Sequence, residues 1–264
     1  MNMFLHELKA YRKSTIIWTC SLAAVVILFL SMFPAFSRDA AEVKKILEGF
    51  PEVVRKAFGI SSDITSILSF YSYIFLYIIL CGAIQAMNLG TSIISKEVRE
   101  KTADFLLTKP VTRSEIITAK LLAVFTSLAI TNVIYLIVSS SMALAVKVEA
   151  FSMKIFLMIS ITLFFVQLIF MAIGVIVSVI LPKVKSVISI SLGTVFGFFI
   201  INMFGSVIGE EAIRYITPFK YYDTAYIMKN GSYEASFMIL EIILIIVAIT
   251  ASYRIYMKKD IHAV

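Results

Sequence analysis

Covalent and metal chemistry has little raw material in this chain. Two histidines, His6 and His262, and two cysteines, Cys20 and Cys81, occur in 264 residues. Both cysteines fall in apolar stretches and read as small buried hydrophobes. They make no disulfide framework, and the set of ligands is too small for a zinc site. No GxxxxGK[ST] loop is present to cradle a phosphate. The chemistry left to the chain is non-covalent. It sits in residues 95–120, SKEVREKTADFLLTKPVTRSEIITAK, which carry the densest charge in the sequence, and in a few polar side chains embedded in apolar runs.

The charged stretch has the design of a helical hairpin. Ile94, Val98, Thr102 and Phe105 or Leu106 continue an apolar stripe at helical spacing. Lys96, Arg99, Glu100 and Asp104 cover the remaining surface, and Glu97 with Lys101 forms an i,i+4 pair in the favourable order. Pro110 disfavours helical geometry at Lys109 and ends this helix, expected to run from Ser95 to Leu107. A second helix starts at once. Thr112-Arg113-Ser114-Glu115 is a capping box, and Val111 and Ile116 stand where a hydrophobic staple belongs. An apolar stripe beside a charged face, on a projection longer than a linker needs, suits contact with a soluble partner.

The elements that position this hairpin are oily. The chain is 60% hydrophobic and 16% charged, with a mean hydropathy of +0.94; soluble domains are nearer half apolar and a quarter charged. The apolar residues fall in blocks of about 20 or more, long enough to cross a hydrocarbon layer about 30 Å thick. Without water to satisfy the backbone, such blocks are helices. The alternation of a membrane β-barrel is absent. Six spans are expected: Thr15 to Phe36, Ile67 to Ile94, Ile116 to Val146, Met153 to Leu181, Val187 to Ile208 and Ala235 to Met257. The first lacks a small-x-small cleavage pattern and reads as a retained helix rather than a signal peptide. Ahead of it, Met3 to Lys13 suits a short interfacial helix. The fold class is therefore all-α integral membrane, with residues 1–264 forming one domain.

Charge gives an orientation. With the N-terminus in the cytoplasm, the inner segments hold 14 Lys and Arg and the outer segments 10, in the sense of the positive-inside rule. Both termini and the hairpin between spans two and three are then cytoplasmic, in the cell membrane. The net charge of +7 is a topology signal rather than a nucleic-acid footprint. Residues 37–66, interrupted by Gly49 and Pro51, read as two short amphipathic helices on the outer surface. Residues 209–234, with Tyr215, Phe219, Tyr221, Tyr222, Tyr226 and Tyr233, read as short helices at the membrane–water boundary, with Pro218 at a turn.

Inside the spans lie Gln85, Asn88, Asn132, Gln167, Asn202 and Glu241. Polar groups in a membrane mark a substrate pathway or hold helices together, and the sequence leaves both open. Glu241, about two turns from the outer end of its span, is the one acid well inside a span. Gly193 and Gly197 form a small-xxx-small pattern expected to make a close helix contact.

The hairpin resembles the signature region of ABC-2-type transporter permeases. That pattern places an acid, a Thr, a Leu-Leu pair, a Pro, an Arg and a Lys at spacings met here by Glu97, Thr102, Leu106-Leu107, Pro110, Arg113 and Lys120. It departs from the pattern at Arg99 and Lys101, where family members often carry a second acid and a Gly. The resemblance extends loosely to the six spans, the basic N-terminal elbow, the amphipathic outer segment and the Pro-containing loop before span six. It implies the membrane subunit of an ATP-driven exporter. The coupling residues would be Glu97, Arg99, Glu100, Thr102, Phe105, Leu106, Leu107, Pro110 and Arg113. The chain would bind no cofactor and no metal and have no catalytic residue of its own. ATP and Mg would sit on a separate ABC ATPase, present in two copies, and a second permease, identical or related, would complete the pathway. The alternatives fit less well. A stand-alone secondary transporter or channel calls for midplane ionisable groups or broken, repeated spans. An intramembrane enzyme calls for catalytic clusters that the spans lack.

Overall fold

The computed structural model describes residues 3–58, 65–100, 111–181, 184–209 and 211–258, without the side chains at 97–100 and 211. The elements in chain order are α1 (Met3–Arg38), α2 (Ala40–Glu48), α3 (Glu52–Ala57), α4 (Ile67–Glu100), α5 (Arg113–Val146), α6 (Met153–Ile180), α7 (Val187–Ile208), α8 (Glu211–Arg214), a 3-10 turn (Pro218–Lys220), α9 (Thr224–Asn230) and α10 (Ala235–Lys258). Six of these helices are long and apolar enough to cross a membrane. They alternate in direction. At one end of the bundle, the base, α1 and α5 start and α4 and α10 finish; the described residues of 39–66 and 209–234 occupy the other end, the crown.

The spans α4 and α6 form the centre, running parallel to each other. Glycines let them close. A Cβ at Gly90 would meet the Met171 carbonyl oxygen at 2.4 Å, and one at Gly174 would meet the Met87 carbonyl oxygen at 2.7 Å. Backbone-to-backbone approach of this kind replaces the hydrophobic drive that lipid cannot supply between helices. Helix α1 packs along α5, α10 leans on α6 and α5, and α7 lies against α4 and α3. Gly193 and Gly197 do not repeat the device: a Cβ at either would meet nothing within 4 Å among the described residues, so the expected close contact is not made there.

Two other expectations change in form. Residues 3–14 are not a separate interfacial helix but the first turns of α1, a single helix of 36 residues that carries Pro34 near its end. The aromatics of 209–234 do not all ride at a boundary. Phe219, Tyr221 and Tyr222 are buried, whereas Tyr215 is exposed. Phe219 packs on Phe170 and Phe199, and Tyr222 packs on Phe165 and Tyr233, so this loop folds down between α6, α7 and α10. The Tyr221 hydroxyl donates to the Tyr215 carbonyl at 3.1 Å, and that of Tyr233 to the Met158 carbonyl at 2.8 Å. The helices of 37–66 are present as α2 and α3, with no buried residue in either.

Candidate functional site

The base of the bundle is built where the hairpin joins it. Helix α4 stays helical as far as it is described, to Glu100, so Glu97, Arg99 and Glu100 belong to its last turn. Their side chains, and Thr102, Phe105, Leu106, Leu107 and Pro110, lie outside the described residues. The return leg is described. Thr112 caps α5 in a complete capping box: the Glu115 amide donates to Thr112 Oγ1 at 3.3 Å, and the Thr112 amide donates to Glu115 Oε2 at 2.8 Å. Helix α5 therefore starts at Arg113.

Three ties fasten the start of α5. Arg113 donates to the Met257 carbonyl at 3.2 Å, placing a cation at the C-terminal end of α10, where the helix dipole favours it. One turn on, the Thr118 and Tyr253 hydroxyls meet at 2.8 Å. Below them Lys120, fully buried, donates to the Ile93 carbonyl of α4 at 2.7 Å and pairs with Glu7 of α1 at 3.3 Å. The ammonium is thus satisfied by a carboxylate and a carbonyl, as a buried charge must be. Tyr11 adds a second α1–α4 link through the Ser92 hydroxyl at 3.1 Å, with the Lys96 ammonium 5.5 Å from its ring. Glu7 is the residue that sequence reasoning missed: a lone acid in a basic N-terminal stretch reads as surface, and its partner is 113 residues away.

Halfway along the spans, three of the six amide and acid candidates come together. Gln167 Nε2 donates to Gln85 Oε1 at 3.0 Å, Asn132 Nδ2 to Gln167 Oε1 at 2.5 Å, and Gln85 Nε2 to Thr131 Oγ1 at 3.1 Å. The Thr131 hydroxyl meets that of Thr19 at 2.9 Å. This layer joins α1, α4, α5 and α6, and all five residues are buried. Asn88 is half-buried and does not join it. Toward the crown, the Tyr71 hydroxyl lies 2.6 Å from that of Tyr135 and 2.8 Å from Ser160 Oγ, a second junction of α4, α5 and α6 that no sequence signal marked.

Asn202 and Glu241 stand apart from the layer and from each other's helix. Asn202, near the crown end of α7, is buried with its Oδ1 unpaired among the described residues. Glu241 is buried on α10 with Oε2 unpaired. Its carboxylate faces the crown loop, where burial and this neighbouring charge push the Tyr222 phenol well above its ordinary range.

One family matches almost the whole chain. Residues 1–261 fit the family described as "ABC-2 family transporter protein". The chain belongs to the ABC-2 transporter family. It is a multi-pass membrane protein and a membrane permease of the ABC type. No curated protein matches the sequence.

Proposed function

We propose that this permease is the transmembrane half-pathway of an exporter, and that the segment from Glu97 to Arg113 docks on a separate ABC ATPase and transmits its closure to the spans. The observation that carries this reading is the construction of the base. A coupling element must move helices, so its roots have to be fixed to them. The return leg starts in a capping box and is fastened within eight residues to α10, α1 and α4 through Arg113, Thr118 and Lys120. A mere connecting loop needs none of these ties. Both termini and the hairpin would face the cytoplasm of the cell membrane, in line with the basic excess on that side. ATP and Mg would be held by two ATPase subunits and a second permease would complete the assembly; this chain would carry no catalytic residue.

Gln85 and Gln167 spend both their amide nitrogen and oxygen in helix–helix hydrogen bonds, and Asn132 donates to Gln167 and to the Leu128 carbonyl while its Oδ1 stays unpaired among the described residues; the layer as a whole serves to join helices. Asn202 and Glu241 keep unpaired oxygens and are the better candidates for contact with a passing molecule.

The test is reconstitution. Purified from its host in mild detergent, the permease should bring down a soluble ATPase, and transport in vesicles should require ATP. Glu97→Lys combined with Phe105→Asp should leave the spans folded and cut transport and its stimulation of the ATPase by tenfold or more, on the order of the loss expected from removing one central interface anchor of about 2 kcal/mol. Full transport by this chain alone under ATP depletion would overturn the proposal.

A further inference from the structure

A cavity of about 310 Å³ opens at the crown between α4, α7 and the loop that carries the 3-10 turn. Its lining is mixed. Phe75, Leu76 and Ile79 of α4 are apolar, and Ser72 on the same helix, Asn202 of α7 and Lys220 of the loop are polar. The polar groups are unsatisfied. Asn202 is 3% exposed, and its Oδ1 accepts no hydrogen bond among the described residues, a rare condition for a buried acceptor. Among the described residues the Ser72 hydroxyl donates only to the Met228 sulfur, at 3.7 Å, a weak acceptor.

Lys220 is half-buried and has no ion pair within 4 Å among the described residues. Burial weakens its hold on its proton, and Asp223 nearby strengthens it. Asp223 is not free to close on it fully, since its Oδ1 already accepts the Ala225 and Tyr226 amides at the start of α9, at 2.8 and 3.4 Å. Arg214, a second cation of the same loop, is paired with Glu234. The cavity therefore offers a cation, an empty acceptor and an underused hydroxyl, with the hydrocarbon side chains of α4 beside them.

We propose that this cavity binds an anionic amphiphile whose head carries both a phosphate and a free hydroxyl. The phosphate faces Lys220 and receives the Ser72 hydroxyl, the ligand hydroxyl donates to Asn202 Oδ1, and the first methylenes of the tail run along Phe75, Leu76 and Ile79. A volume near the lower bound for small-molecule pockets fits a head group and a few carbons, with the rest of the chain lying outside. A glycerol-phosphate head meets these terms, whereas a choline head offers a cation where Lys220 already stands. The assignment is independent of the direction of transport and of the ATPase partner.

The probe is lysophosphatidylglycerol, titrated against the detergent-purified full chain by native mass spectrometry, with lysophosphatidylcholine as the comparison and free glycerol phosphate as a competitor. Lysophosphatidylglycerol should bind about tenfold or more tightly than the choline lipid, the scale of one charge-assisted hydrogen bond. Lys220→Gln should abolish that preference, Lys220→Arg should keep it, and Asn202→Leu should weaken it. Leu76→Trp, which fills the cavity from its apolar side and leaves Ser72, Asn202 and Lys220 in place, should block both lipids, and this keeps the test sound if the Asn202 variant does not fold. Equal affinity for the two lipids, or a preference that survives Lys220→Gln, would overturn the proposal. So would full displacement by glycerol phosphate at equal concentration, since the tail would then contribute nothing.

Discussion

At the residue scale, the Glu7–Lys120 pair is the most consequential feature, because both charges are out of reach of solvent. Removing one partner leaves the other buried and uncompensated, whereas replacing both with apolar groups does not. Lys120→Met should therefore destabilise the folded protein by about 3–5 kcal/mol. The double variant Lys120→Met with Glu7→Leu should recover most of that loss, as measured by thermal unfolding in detergent. A single variant as stable as the parent would mean that the pair is not a tie. In the polar layer, Gln167→Leu removes a side chain that both donates and accepts, and strands Gln85 and Asn132. A loss of about 1–3 kcal/mol is expected by the same measurement. None of these partnerships was legible in the sequence. Gln85, Asn132 and Gln167 are visible as polar interruptions in oily runs, but which of them meet depends on how α4, α5 and α6 are rotated about their axes. Glu7 was invisible because nothing within α1 itself distinguishes a buried acid from a surface one.

At the scale of elements, the contrast between two kinds of glycine is open to test. Gly90 is pressed against the backbone of α6, and no side-chain rotation can relieve a Cβ placed 2.4 Å from a carbonyl oxygen. Gly90→Ala should force α4 and α6 apart and cost about 1–3 kcal/mol. Gly193→Ala, which meets open space, should instead stabilise α7 by up to about 1 kcal/mol, since alanine is the better helix former. A similar melting-temperature shift for the two variants would refute this packing. The existence and extents of the spans were readable because an apolar block of this length has one solution in lipid, and the capping box fixed the start of α5 to the residue. Two features were not readable. The amphipathic first turns of α1 look the same whether or not the helix continues into the membrane. The tyrosines of the crown loop carry both an apolar ring and a polar tip, so their sequence suits a boundary and a core equally well; only the aromatic partners supplied by α6 and α10 decide it.

At the scale of the whole molecule, the ties define what can move together. The base ties bind α1, α4 and α5, the polar layer binds the same three helices and α6, and Arg113 with Thr118 adds α10 at the base. Helix α7 has no side-chain hydrogen bond to any of these five helices among those described. It meets α4 through apolar contact and the crown through the Thr217 hydroxyl, which donates to the Phe198 carbonyl at 3.1 Å. Packed interfaces without polar registration slide more readily than those pinned by buried hydrogen bonds, so a push delivered at the start of α5 should carry the pinned group as a body and leave α7 to shift against it. Pairs of spin labels test this in the reconstituted transporter, after replacement of Cys20 and Cys81, the two free cysteines. Labels at Ile17 and Val133, both exposed and on α1 and α5, should keep their distance when ATP is trapped on the ATPase. Labels at Val133 and Phe196, the latter exposed on α7, should change theirs by several ångström, the scale of shear and one-turn helix shifts. An α1–α5 distance that changes as much as the α5–α7 distance would show that the base is not rigid. The hairpin would then act on α5 alone.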